Sequence, residues 1–191
     1  MKMLAVGTNR GTIILANSRG DKREYNSDGR SGKVFCVALS PEGRTLASGS
    51  QDGSLQLWDV MSGEIVRSLR GSSAQGREAS EKDLQASRMG SVQQHCAPCR
   101  SVAWCPCSRL LASGGDDGQV FIWDTEAPSS IPLNAFWGDR AGVRSVAFAP
   151  DGSGRVASGG GRGSIMLFNR ESGREWARLD AHADQVLPRD D

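Results

Sequence analysis

From His95 to Cys107 the chain reads HCAPCRSVAWCPC, one histidine and four cysteines within thirteen residues. Thiolate and imidazole are the ligands of structural zinc, so metal binding is the first chemistry to test. The spacing opposes it. Cys99 to Trp104 reads as one strand, and at roughly 3.3 Å per residue Cys99 and Cys105 stand about 20 Å apart at its two ends. A smaller set, His95, Cys96 and Cys99, offers three ligands where a structural zinc takes four. The alternative is a group of buried or turn cysteines without ligand function, and the expectation is no metal and no cofactor. His95, Ser113 and Asp117 also invite comparison with a hydrolase triad. Neither a strained nucleophile turn nor an oxyanion site accompanies them, so no catalytic residue is assigned and the chain is read as not an enzyme.

Composition narrows the class. The chain has 191 residues, formal net charge +1, 38% hydrophobic and 24% charged residues. No single-sign field points to nucleic acid or to an anionic membrane. Apolar runs are short and broken by charge, well below the roughly 18 residues that span a bilayer. Near the N-terminus Gly7, Asn9, Arg10 and Gly11 interrupt the apolar stretch where a signal peptide keeps a continuous core. Five cysteines, an odd number, favour a reducing compartment. The expected location is intracellular, cytoplasmic or nuclear.

The elements that position the cluster emerge from a repeat. VFCVALSPEGRTLASGSQDGSLQLWD (Val34 to Asp59), CRSVAWCPCSRLLASGGDDGQVFIWD (Cys99 to Asp124) and VRSVAFAPDGSGRVASGGGRGSIMLFN (Val143 to Asn169) superimpose, and LAVGTNRGTIILAN (Leu4 to Asn17) is a partial fourth copy. Measured at the aromatic slot, Ala16 to Trp58 is 42 residues, Trp58 to Trp123 is 65 and Trp123 to Phe168 is 45. Within a copy, an apolar run is stopped by a Pro-containing turn, followed by a short strand, an Asp-Gly hairpin, a third strand ending in Trp-Asp, and a weaker fourth strand over Glu64 to Leu69 or Arg174 to Leu179. Four antiparallel strands per roughly 42 residues describe a propeller blade.

The pattern LASGSxDGxxxxWD, present as Leu46 to Asp59 and, with Gly115 in the second Ser slot, as Leu111 to Asp124, resembles the WD-repeat (WD40) β-propeller family. The resemblance implies an all-β, WD40-type propeller, incomplete or small, of about four blades of four-stranded antiparallel sheets. Its divisions are a partial blade at 1–28, a blade at 29–71, a disordered insertion at 72–94, blades at 95–137 and 138–180, and the start of a further repeat at 181–191. The insertion is polar and lacks helical periodicity; it reads as a partner-binding or phosphorylated segment, or as a tolerated surface insertion or splicing product. The C-terminal Gln185-Val186-Leu187 either supplies the missing strand of the first copy, closing a four-bladed ring, or belongs to a longer propeller.

The resemblance also implies a hydrogen-bonded tetrad of His95, Ser113, Asp117 and Trp123. A partial tetrad keeps Ser48, Asp52 and Trp58, with Arg30 in the histidine slot. In the last full copy Ser158 remains while Asp139, Arg162 and Phe168 replace His, Asp and Trp; in the first, Val6, Arg10 and Ala16 stand at the Ser, Asp and Trp slots. These copies are expected to be held by packing more than by polar networks. In the same alignment Cys99 fills the slot of Val34 and Val143, Cys105 that of Ser40 and Ala149, and Cys107 that of Glu42 and Asp151.

The implied function is a non-enzymatic scaffold that binds proteins or peptides through blade-top loops, with Arg30, Gln51, Asp116, Trp137, Asp139 and Arg162 as candidate contacts. Trp137 is read either as an interface anchor or as packing between blades. Alternatives are a propeller contacting nucleic acid within an RNA-processing or chromatin assembly, and a truncated product without independent function. Self-association through open blade edges is a further expectation.

Overall fold

The computed structural model describes residues 3–26, 32–69 and 94–180. Arg30, residues 72–93 of the insertion and the segment 181–191 lie outside the described residues. All regular structure described is strand, arranged as four antiparallel sheets. The first has three strands: β1 (Met3–Gly7), β2 (Thr12–Asn17) and β3 (Lys22–Asn26). The second is built from β4 (Val34–Leu39), β5 (Thr45–Ser50), β6 (Leu55–Asp59) and β7 (Ile65–Leu69). The third holds β8 (Cys99–Trp104), β9 (Leu110–Gly115), β10 (Gln119–Asp124) and β11 (Asn134–Trp137). The fourth holds β12 (Val143–Phe148), β13 (Arg155–Gly160), β14 (Ser164–Asn169) and β15 (Glu175–Asp180). The weak outer strands begin one residue later than the sequence pattern suggests, at Ile65 and Glu175, and the last runs through Asp180.

One register recurs in all four sheets. Leu4 faces Ala16, Leu46 faces Trp58, Leu111 faces Trp123 and Val156 faces Phe168. The hairpin turns explain the constancy. Gly118, at φ 77°, follows Asp117 in a tight turn whose backbone only glycine adopts without strain, and the Gly118 N–H donates to the Gly115 carbonyl at 3.0 Å.

Burial reveals the stacking order. The strands β9 and β10 are buried at every position, because the third sheet is covered on both faces. By contrast β14 alternates buried and half-buried residues, as a strand covered on one face does. Three apolar clusters fill the joints. Ile13, Leu15 and Tyr25 pack on Val34, Leu46 and Trp58; Leu55, Leu57 and Leu69 pack on Cys99, Leu111, Phe121 and Trp123; Val120, Ile122 and Phe136 pack on Val143, Val156, Met166 and Phe168. Each sheet therefore lies on the next in chain order, and the stack is open among the described residues. Also among these residues, no helix is long and apolar enough to cross a membrane.

Candidate functional site

The third sheet carries a continuous polar chain through its core. Trp123 Nε1–H donates to Ser113 Oγ at 2.9 Å, Ser113 Oγ lies 2.9 Å from His95 Nε2, and His95 Nδ1 lies 3.0 Å from both carboxylate oxygens of Asp117. Donors and acceptors balance when the Ser113 hydroxyl donates to Nε2 and Nδ1–H donates to the carboxylate. Asp117 also accepts the N–H groups of Cys96 and Gln119, each at 3.1 Å, so it closes the loop before β8 onto the β9–β10 turn. Ser113, His95 and Trp123 are almost wholly buried, which is where paired polar groups matter most. The arrangement holds loops together.

In the second sheet Trp58 Nε1–H donates to Ser48 Oγ at 2.9 Å, and Asp52 accepts the Ser54 N–H at 3.0 Å and hydroxyl at 2.6 Å. The first sheet is tied by Tyr25, whose hydroxyl donates to the Val60 carbonyl at 2.9 Å and whose ring stacks on Trp58.

The fourth sheet, expected to be held by packing more than by a polar network, carries a polar network of its own around Asp139. Asp139, in the histidine slot, is only 4% exposed and accepts three hydrogen bonds: Ala141 N–H at 2.8 Å, Arg162 N–H at 2.9 Å and Ser164 O–H at 2.8 Å. A carboxylate here caps directly the turn that His and Asp jointly close in the third sheet. Gly160 makes room for it, since a Cβ at that position would collide with the Asp139 side chain. Burial raises the Asp139 pKa, but the N–H groups of Ala141 and Arg162, the Ser164 hydroxyl and the Arg162 charge outweigh it and hold the carboxyl below its usual range. A depressed folded-state pKa means stability present above the unfolded value near 3.9 and lost as pH falls through the folded one. Asp139→Ala is expected to cost about 2–3 kcal/mol near pH 7. In thermal melts taken over a pH series, the gap between wild type and variant narrows below about pH 4; a gap independent of pH contradicts the assignment. Left over in this sheet is Ser158 Oγ, which is buried and has no hydrogen-bond partner among the described residues.

The cysteines fall into three places. Cys36 and Cys99 meet between the second and third sheets, where Cys36 Sγ lies 3.6 Å from the Cys99 carbonyl oxygen. Cys96 is exposed beside Asp117. Cys105 and Cys107 share the β8–β9 turn. Among the described residues no three metal-binding side chains converge.

The candidate contact residues separate in space. Gln51 is exposed on the second sheet, with its N–H on the Lys33 carbonyl at 2.8 Å. Asp116 bridges two sheets, accepting Arg100 Nε at 2.8 Å and Arg144 Nη1 at 2.7 Å, and the Arg100 hydrogen bonds foremost hold its carboxyl below the usual range. Trp137, Asp139 and Arg162 line one groove between the third and fourth sheets, about 490 Å³ in volume, together with Arg140 and Arg178 and the carboxylates Glu175 and Asp180. Trp137 is 59% exposed, whereas its neighbour Phe136 turns inward and stacks 4.3 Å from Phe168. Asp139 contributes the floor, because its oxygens are engaged with backbone and Ser164. Arg140, Arg162 and Arg178 are exposed, and among the described residues their guanidinium groups form no ion pair. The repeat pattern did not single out Arg140 or Arg178; only the convergence of a loop and the outer strand puts them beside Trp137.

Comparison with known proteins matches this architecture. Residues 1–79 fit the family model described as Vps8 beta-propeller, and residues 86–124 and 131–169 fit that of the WD domain, G-beta repeat. The chain is 29% identical to Meiotic fizzy-related protein 1 of Schizosaccharomyces pombe over 93% of its own length and 47% of the relative's. It is 30% identical to Cell division cycle 20.6, cofactor of APC complex, of Arabidopsis thaliana, over 76% of this chain and 40% of that protein. Protein HIR1 of Kluyveromyces lactis matches at 24% over 85% of this chain and 20% of its own length. The chain thus spans less than half of each of these relatives.

Proposed function

Starting from a chain that belongs to the WD-repeat β-propeller family, we propose that it is a non-catalytic scaffold that captures an acidic segment of a partner protein in the groove beside Trp137. The observation that carries the reading is the exposed indole flanked by Arg140, Arg162 and Arg178. Guanidinium groups form bidentate, charge-assisted hydrogen bonds with carboxylates or phosphates, and a neighbouring Trp supplies apolar contact to an interleaved side chain. The relative described as a cofactor of the APC complex supports protein binding as the kind of work done. In this reading the blades are 1–28, 29–71, 95–137 and 138–180, with 72–94 inserted and 181–191 opening a further repeat. The tetrad of His95, Ser113, Asp117 and Trp123 keeps the platform rigid and touches no ligand. Five cysteines, an odd number, support an intracellular, cytoplasmic or nuclear location.

The probe is a fluorescein-labelled peptide of alternating Glu and Phe, followed by anisotropy. Wild type binds it saturably, with Trp137→Ala and Arg162→Glu each weakening binding about tenfold or more and Arg19→Glu, on the remote first sheet, leaving it unchanged. Equal binding by all variants, or tighter binding of an RNA oligonucleotide than of the peptide, overturns the reading.

A further inference from the structure

The turn between β8 and β9 contains Cys105-Pro106-Cys107-Ser108, and its two sulfur atoms stand 2.7 Å apart. Pro106 presets the first corner of the turn, the Ser108 N–H donates to the Cys105 carbonyl at 2.9 Å, and Cys105 N–H donates to the Leu110 carbonyl at 2.8 Å. Ser108 takes φ 58°, the left-handed position that Gly43 and Gly152 hold in the equivalent turns of the second and fourth sheets. The two thiols differ in access: Cys105 is 7% exposed, while Cys107 is open to solvent.

The same turn in the fourth sheet explains what the Cys107 position favours. There Asp151 fills the equivalent slot and accepts the Ser153 N–H at 2.9 Å; the Ser153 hydroxyl, that N–H and Arg155 bring its carboxyl to about 2. Partial burial opposes a Cys107 thiolate, but hydrogen bonds from the Cys105 thiol and from the N–H groups of Arg109 and Leu110, with the Arg170 charge, hold the Cys107 thiol below its ordinary range. Burial, foremost, pushes Cys105 the other way.

We propose that Cys105 and Cys107 are a reversible dithiol–disulfide pair, in which exposed Cys107 attacks an oxidised small-molecule disulfide and buried Cys105 resolves the product. With glutathione disulfide as oxidant, the Cys107 thiolate attacks one sulfur and expels a glutathione thiolate, leaving a mixed disulfide. Cys105 loses its proton to the expelled thiolate and attacks the Cys107 sulfur. The Cys105–Cys107 bond forms as the second glutathione leaves; two protein thiols are oxidised and one glutathione disulfide is reduced to two thiols. The other cysteines differ in kind. Cys96 is exposed without a neighbouring thiol, and Cys99, against Cys36, is shut off from solvent inside the joint between sheets.

Cys107 borders a second groove, of about 510 Å³, lined also by Arg109, Asp124, Leu133, Asn134 and Arg170. Ring closure across the turn replaces the exposed thiol on the rim of that groove by a disulfide.

The test is to equilibrate the native full chain in glutathione redox buffers, alkylate it and analyse the tryptic peptide Ser101–Arg109 by mass. The expected wild-type product is an internal disulfide, two hydrogens lighter than the dithiol and restored by dithiothreitol. Cys105→Ser, which installs the residue that Ser40 supplies in the second sheet, accumulates a glutathione adduct on Cys107. Cys107→Ser leaves Cys105 reduced under the same conditions. A wild-type peptide that stays dithiol, one that stops at a glutathione adduct, or oxidation at Cys36 and Cys99 ahead of this pair overturns the proposal.

Discussion

Replacing Ser113 by alanine lowers the unfolding free energy by about 2–4 kcal/mol, whereas the same replacement at Ser158 leaves it unchanged or raises it by about 1 kcal/mol. The two serines occupy one repeat position and face the same way across their hairpins, Ser113 opposite Phe121 and Ser158 opposite Met166. Their surroundings set opposite signs. Loss of the Ser113 hydroxyl strands a buried indole N–H and the Nε2 of a buried imidazole together, each costing about 1–3 kcal/mol. Ser158 has Phe168 in place of the tryptophan and Asp139 turned to the backbone and Ser164, so its hydroxyl is buried without a partner among the described residues. Alanine there removes a desolvated polar atom and nothing else. Urea unfolding of both variants measures the contrast, and equal losses contradict the claim that the polar chain stabilises the third sheet specifically.

A second pair of substitutions probes how the sheets stack. Gly114→Val costs about 3 kcal/mol, while Gly159→Val costs less than about 1 kcal/mol. Each occupies the glycine of the Ala-Ser-Gly run. A Cβ on Gly49 would stand 2.6 Å and 2.7 Å from the sulfurs of Cys36 and Cys99, and one on Gly114 would collide with Val143 and approach Val146 Cγ1 to 2.9 Å. The first strand of each following sheet presses on this glycine, and a valine there forces the joint apart. At Gly159 the nearest atom to such a Cβ is Ser145 Cβ at 3.9 Å, an ordinary contact. Denaturation midpoints of the two variants decide the matter; comparable losses mean that another strand lies against the fourth sheet.

Much of this was legible in the letters. Trp-Asp endings, Asp-Gly turns and Ala-Ser-Gly runs recur at one spacing, so a shared hairpin register follows from their alignment, and the four hairpins have it. Other features depend on contacts that no alignment carries. Asp139 looks like a lost histidine, yet it caps groups 23 and 25 residues away through backbone that the repeat pattern does not describe. Phe136 and Trp137 are adjacent apolar residues in a short outer strand; pairing of Phe136 with Val120 decides which of them enters the core. Cys105 and Cys107 align with a serine and a glutamate, and only the closure of their turn makes them neighbours. For Asp139 and Trp137 short-range pattern specifies the sheet and long-range geometry specifies the chemistry, whereas for the two cysteines the fold of a single turn does.

The central claim is that the groove beside Trp137 is a binding surface. Hydrogen exchange of the chain with and without the Glu-Phe peptide tests it most directly. Protection confined to backbone at Trp137–Gly142, around Arg162 and along β15 is the predicted result. Uniform exchange, or protection confined to the first and second sheets, would contradict it.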